Sequence, residues 1–532
     1  MKINKVFYGV MAIILLIILG YHYKLNYNSS IQPPSEKWAK EVLIAEGNIK
    51  GFSSITKYND NYIVAFNEGE NIKVISVDSV GKVIKQVSLS TNTEFPQNIN
   101  VFENDGKILL SYFVIGSESG ELQIVALDEN LSTLDNTVIQ GPKDYIKVND
   151  NVLGAVYKEK IDLINLSENK VTTVETGGDT ALVSSVEYGN KYCIIYSNIF
   201  GNLNYFFMED GVISDMKSAG GISEYSKVKF RSMISIIDKD IVTNLIEYVF
   251  NSDYIGYKYI SFSLESGEAI GRGEFPIKFE GVEKGYIYNG SGISIATPAP
   301  YKDESGKLLI STARDVAKGK SQTDILEMKI ENKLGVMMDT VSRTKSVSIN
   351  PAVYKDTLVF LDPIKKDYGK LYITSTRNDF KEYNNKIRND EKVQALIENI
   401  EGLLFSFAYV VTYGMIWIIP AISLFSILSL LEYRYSYTVR KSIFIIAYML
   451  TTILKIFVVR NLSFVRFQSF IPTHFTFTIG MAAMSIISLV CLLYGYVNYK
   501  DDLEKNVMAL SYSKPIFIDS FLTLALFVGF LK

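Results

Sequence analysis

The phrase "YNDNYIVAF", Tyr58 to Phe66, sets turn-forming residues against an apolar run, and variants of it return along the chain. "FENDGKILLSY" starts at Phe102, "VNDNVLGAVY" at Val148 and "EYGNKYCIIY" at Glu187. In each, an apolar strand runs into Asn, Asp, Gly or Lys, and a second strand follows. Asn, Asp and Gly tolerate the positive φ that tight hairpins need, so the phrase reads as strand–turn–strand. The turns centre on Asp60, Asp105, Asp150, Gly189, Asp238, Asp303 and Asp356. Such intervals fit one four-stranded propeller blade plus variable loops.

A second hairpin falls between consecutive copies, as in "VISVDSVGKVIKQV", "IVALDENLSTLDNT" and "ILEMKIENKLGVMM"; "LYITSTRNDFKEY" fills the last slot less well. Two hairpins per unit and seven units predict an all-β extracytoplasmic β-propeller with seven blades. A lone twisted sheet cannot bury both of its faces, whereas radial stacking buries them against neighbours. A two-sheet sandwich, a pair of smaller β domains, or a ring of six or eight blades would also accommodate short strands. Ring closure needs a latch, and "EVLIAEGNI" (Glu41 to Ile49) is placed to supply the outermost strand of the last blade. "KFEGVEKGYIYNGSG" (Lys278 to Gly292) reads as an insertion between blades five and six.

The apolar residues of this 532-residue chain are unevenly spread, crowding the start and everything after about Glu401. Val6 to Tyr23 is long enough to cross a bilayer and follows Lys2 and Lys5. Bulky Tyr and His stand where a signal peptidase would need small residues, which favours an uncleaved anchor. Further spans are legible at Leu403 to Leu431, with Pro420 near its middle, Ile443 to Val459, Phe475 to Val497 and Phe517 to Leu531. The expectation is therefore five transmembrane helices, the second either one kinked span or a re-entrant hairpin. The domains read as a 1–24 anchor, 25–40 linker, 41–380 propeller, 381–402 helical stalk and 403–532 four-helix membrane domain.

Basic residues set the orientation. Lys2, Lys5, Arg434, Arg440, Lys441, Lys500, Lys505 and Lys514 fit a cytoplasmic N-terminus, with Arg460 and Arg466 mildly opposed. The propeller then lies outside a multi-pass cell-membrane protein. Each chain end carries +3 against a total of −3, leaving about −9 on the outer portion. That surface offers no electrostatic reason to bind nucleic acid. The expected partners are the lipid bilayer and a protein, peptide or glycan ligand. Two cysteines, Cys193 and Cys491, make no disulfide framework; with the richness in Lys, Asn, Ile and Tyr this favours a bacterial surface.

Chemistry is sparse. The two histidines, His22 and His474, both flank apolar spans, so His-based triads and metal sites are excluded from the ring. They could meet at the outer interface, where filling is expected rather than a metal pair. Cys193, in "KYCIIY", reads as core. Acids that could pair for glycan hydrolysis or lysis in the propeller tunnel are Asp105, Asp150, Asp238 and Asp240, and turn chemistry explains each of them. "SVDSVGKV" near Asp78 resembles a sialidase-type Asp box only in outline, its glycine displaced and its tryptophan missing. Lys455 and Asp519 are charges within the spans, both expected to snorkel from helix ends. No catalytic, cofactor-binding or metal residue is assigned. The reading is a binding, scaffold or sensor module in a membrane assembly, with an envelope glycan enzyme or a transporter subunit as alternatives.

The polar opening of "NNKIRNDEKVQALIENIEGLLFSFAYV" carries Val393, Leu396, Ile397 and Ile400 at helical spacing. It is expected to run into the second span as one helix, serving as a passive stalk or as a rod that transmits tilt.

Overall fold

The computed structural model describes residues 2–530 except 92–95, 116–119, 222–227, 251–253, 275–276, 280–294, 302–304, 318–319, 332–333, 345–346, 433–436, 462, 464–473 and 503–507. The turn at Asp303, the insertion beyond Phe279, and Arg434, Arg466 and Lys505 lie outside the described residues. The chain divides into two compact units. One is the ring, Pro33–Arg314 with Ser321–Lys386; the other comprises Met1–Gln32, Asp315–Lys320 and Ile387–Lys532.

Seven sheets appear among the described residues of the ring. Blade one is an antiparallel meander of Ile49–Tyr58, Asn61–Glu68, Asn71–Val77 and Val83–Ser90. The same order recurs with first strands Gln97–Asn104, Asp144–Lys147, Thr180–Tyr188, Val228–Asp238, Ile295–Pro300 and Ile349–Tyr354. First strands of neighbouring blades lie against one another, blade seven against blade one included, and those of blades two and three meet through Asn98 with Asp144 and Asn100 with Tyr145. The chain is thus a seven-bladed β-propeller, and the sandwich alternative falls.

Radial burial explains the apolar pattern. Blade one's second strand is buried at all six interior positions. Ile63 and Ala65 face blade two while Val64 and Phe66 face blade seven. Seven such apolar clusters each join one neighbouring pair of blades. At about 25 cal/mol per Å² of buried apolar area, these joints are the main favourable term in the ring. Inner strands are also stitched by serines: Ser54 Oγ accepts from Val101 N and Ser184 Oγ from Ser235 N, each at 3.0 Å.

The turns follow the expected chemistry. Asn59, Asp105 and Gly106 take positive φ on first hairpins, and Gly189 does the same. Asp78, the Asp-box look-alike, is a turn device: its Oδ1 accepts from Val80 N and Lys82 N, at 3.0 and 2.8 Å. Asp128 repeats the device with Asn130 and Ser132, and Asn198 with Phe200 and Asn202.

Closure occurs where the latch was expected. Val42–Gly47 pairs antiparallel with Tyr368–Ser375 and becomes the outermost strand of blade seven. Ahead of it, Ser35–Lys40 wedges into the joint between blades six and seven. Trp38 is 1% exposed among Tyr301, Leu309, Ile325, Leu358 and Phe360. Glu327, fully buried, accepts from Lys37 at 2.6 and 2.7 Å and from Trp38 Nε1 at 3.2 Å. Ala39 N donates to Ser375 O at 3.0 Å, so the chain joins and leaves the ring on the same face. Blades four and six carry a fifth strand each; Ile277–Phe279 adds in parallel to Leu334–Thr340.

The other unit holds helices α1 (Lys2–Ile31), α3 (Asn389–Tyr409), α4 (Met415–Glu432), α5 (Tyr437–Val459), α6 (Phe477–Asp502) and α7 (Met508–Val528); α2 (Asn378–Asn384) belongs to the ring. Four helical stretches among the described residues are long and apolar enough to cross a membrane: Lys5–Asn28, Asn389–Ile427, Lys441–Val459 and Phe477–Asn498. A π turn at Val410–Gly414 joins α3 to α4 without a break. The segment is one continuous helix rather than a hairpin, with Pro420 inside it.

Candidate functional site in the helical unit

The most concentrated buried polar chemistry in the helical unit joins α5, α6 and α7. Lys455 Nζ lies 2.6 Å from Asp519 Oδ1, with side chains 1% and 3% exposed. The ammonium has three N–H donors, and all are taken: by Asp519, by Ser488 Oγ at 2.5 Å and by Thr523 Oγ1 at 3.1 Å. Asp519 also lies 3.1 and 3.0 Å from Ser488 Oγ and accepts from Tyr448 O–H at 3.4 Å. Alongside, Trp417 Nε1 of α4 donates to Ser520 Oγ at 2.8 Å.

This corrects the snorkelling expectation. Asp519 was placed near the inner end of a helix starting at Phe517, but α7 begins at Met508, so Asp519 lies midway along it. Lys455 does lie one turn from the end of α5 at Val459, yet its buried side chain turns inward to Asp519 instead of snorkelling. Both charges point into the bundle and meet.

Desolvating two charges costs several kcal/mol each, and their attraction offsets that only with good geometry and satisfied hydrogen bonds. Here every donor of Lys455 is used, so the pair is chemically closed. The arrangement suits an element that sets helix register, and it contains no nucleophile aimed at an open cavity.

Neither histidine builds a metal pair. His22 Nε2 lies 3.0 Å from Leu526 O, while His474 Nε2 lies 3.0 Å from Tyr21 O–H. Adjacent residues on α1 point in different directions, so Tyr21, not His22, meets His474. No metal-ligating cluster occurs among the described residues. Gly529 gives the His22 ring room, since a Cβ there would sit about 2.5 Å from it.

In the ring, the acids proposed for catalysis sit on hairpin turns. Asp105 accepts from Ser167 Oγ at 2.7 Å, Asp150 pairs with Lys147 at 2.6 Å, and Asp240 accepts from Ser263 Oγ at 3.2 Å. Asp238 shares the turn of Asp240, on blade five, apart from Asp105 on blade two and Asp150 on blade three. Cys193 is fully buried and burial pushes its thiol up, as expected of core. The acids that are buried were missed by sequence reasoning. Glu327 sits in the wedge joint, and Asp362 of blade seven, 1% exposed, accepts from Ser348 Oγ at 2.9 Å. Burial chiefly, with Glu41 and Asp324 nearby, pushes the Asp362 carboxyl up to about 7 against opposing hydrogen bonds from Thr344 and Ser348. Asp362, in "FLDP", is a carboxyl closing an apolar strand run, and that mismatch was the available clue.

No protein-family model and no curated protein matches this sequence. Solved structures do resemble it. A chain of the mitotic checkpoint complex is 10% identical, covering 64% of this chain and 94% of its own, at a TM-score of 0.38. The structure of U3-55K is 11% identical over 65% of this chain and 100% of its own, at 0.40. The Cps50 (Swd1) β-propeller domain of Myceliophteria thermophila is 10% identical over 62% and 98%, at 0.37. Likenesses this distant carry no argument about what the chain binds, and the blade count rests on its own sheets.

Proposed function

We propose that this chain is a multi-pass bacterial membrane protein whose propeller is an extracytoplasmic binding module, acting as scaffold or sensor in a membrane assembly. The observation that carries this is a closed ring whose chain ends return on one face. That arrangement leaves the turns of the opposite face for a protein, peptide or glycan. Apolar helices flank the ring in sequence, and the basic residues favour a cytoplasmic N-terminus. The test is crosslinking of the full-length protein in its membrane, with cysteines at exposed turns of that opposite face, such as Phe200 between the second and third strands of blade four, checked for labelling from outside. Outside labelling and capture of a specific envelope component are expected. Labelling only after lysis removes the orientation; labelling without any captured component removes the binding role.

A second reading, a subunit of a transporter, is favoured by the Lys455–Asp519 pair, because ionisable residues buried within a membrane bundle often mark ion or proton pathways. Lys455→Met with Asp519→Leu separates the two. Ligand capture that survives in a stable double variant favours the binding module, and loss of a proton-linked flux favours the transporter.

A further inference from the structure

We infer that α3 is a self-association helix: its outward stripe fits the same helix of a second copy of this chain, running parallel. Val393, Ile397, Ile400, Leu404 and Phe407 are 55, 43, 51, 66 and 56% exposed. Their spacing is four, three, four, three, the seam of a left-handed coiled coil.

The helix is inverted relative to an ordinary surface helix. Its buried face consists of Glu391, Ala395, Glu398, Gly402 and Ser406. Asn399 Nδ2 donates to Leu19 O of α1 at 3.1 Å, so polar and small side chains make the contacts inside the unit. The apolar seam lies on the other side, where among the described residues only its last member, Phe407, meets the chain's own fold, edge-on to Phe521 of α7 at 6.3 Å between ring centres.

Lipid covers only part of such a seam. The continuous helix Asn389–Ile427 has 39 residues, about 58 Å at 1.5 Å per residue, roughly twice the apolar thickness of a bilayer. Its N-terminal half carries Asp390, Glu391, Lys392, Glu398 and Glu401, and Val393, Ile397 and Ile400 stand among those charges. A parallel partner covers the stripe from that polar half into the apolar half without interruption. Parallel pairing follows from insertion of every copy in one orientation and so rests on the membrane setting proposed above. It also sets Glu401 beside Leu396 of the other copy, where no like charges oppose.

Single cysteines at Val393, Ile397 and Ile400, oxidised in the full-length protein in its own membrane, test the seam. Lys392→Cys and Phe405→Cys, both exposed but off the seam, serve as controls, and the buried Cys193 and Cys491 leave the parent as a blank. Covalent dimer is expected several-fold above the controls at the seam positions. Absence of dimer, equal yield at all positions, or crosslinks only to a different protein would each overturn the inference. Ile400→Glu should then reduce the mass of the detergent-solubilised particle to one chain with helicity unchanged; an unchanged oligomer would also overturn it. Alkaline extraction examines the membrane setting separately, so its failure is distinguishable from failure of the seam.

Discussion

The ring and the helical unit handle charge in opposite ways. In the ring, acids such as Asp105 and Asp150 stay on exposed turns, and fully buried acids such as Glu327 and Asp324 gather toward the joint between blades six and seven. In the helical unit the ion pair sits in the middle, and α3 turns its polar face inward. A β-ring in water can bury apolar faces between blades and leave polar groups to solvent. In the membrane setting proposed above, helices gain little from burying apolar side chains against each other, so packing and polar contacts select their partners instead. The same residue type therefore means different things in the two units: Asp on a hairpin is turn chemistry, and Asp within an apolar helix seeks a partner.

The largest effect that would break this contrast is at the ion pair. Lys455→Met or Asp519→Leu alone leaves an uncompensated buried charge and is expected to cost about 3–5 kcal/mol. The double variant should recover most of it, read by thermal unfolding in detergent; equal loss in all three would mean that the pair is not isolated by its surroundings. Next is the wedge. Trp38→Ala empties the blade six–seven joint and should cost about 3–5 kcal/mol, with Val42–Gly47 becoming protease-sensitive. Retained protection would show that the latch strand holds without its wedge.

Asp362 sharpens the comparison through pH. Its folded value of about 7 lies above the ordinary 3.8, so the folded ring holds this proton where the unfolded chain has released it. Its contribution to stability is fully present below the unfolded value, falls as pH rises from about 4 to about 7, and is level above that. Asp362→Asn should flatten this part of the melting-temperature profile by removing a slope of at most about 1.4 kcal/mol per pH unit. An unchanged slope would assign it to other groups. Gly529→Ala drives a methyl into the His22 ring and should cost about 1–3 kcal/mol, seen as a lowered melting temperature. The smallest effect is Asp128→Ala, which removes one turn device at about 1 kcal/mol; chemical denaturation should detect it without any change in ring closure.

Much of the ring was legible in the sequence because its information is local and repeated. A hairpin needs its Asn, Asp or Gly within two residues of the bend, as at Asn59 and Asp105, and seven copies of the phrase impose seven sheets. The latch was readable too, since Val42–Gly47 was a strand left over at one end of a ring lacking one at the other. Contacts between distant segments decided the rest. Lys455 and Asp519 are 64 residues apart, and Trp38 and Glu327 are 289 apart. No period joins such residues, and each looked ordinary alone: a lysine near a helix end, an acid in a strand. Helix length and rotation determined where Lys455 and Asp519 point: α7 starts at Met508 rather than Phe517, which sets Asp519 mid-helix, and two charges expected to snorkel meet as one buried pair. Sequence determined the number and kind of elements, because turn geometry and strand periodicity act over a few residues. Tertiary structure alone determined which polar groups became partners, because burial in a low-dielectric interior makes a charge's worth depend on what packs beside it.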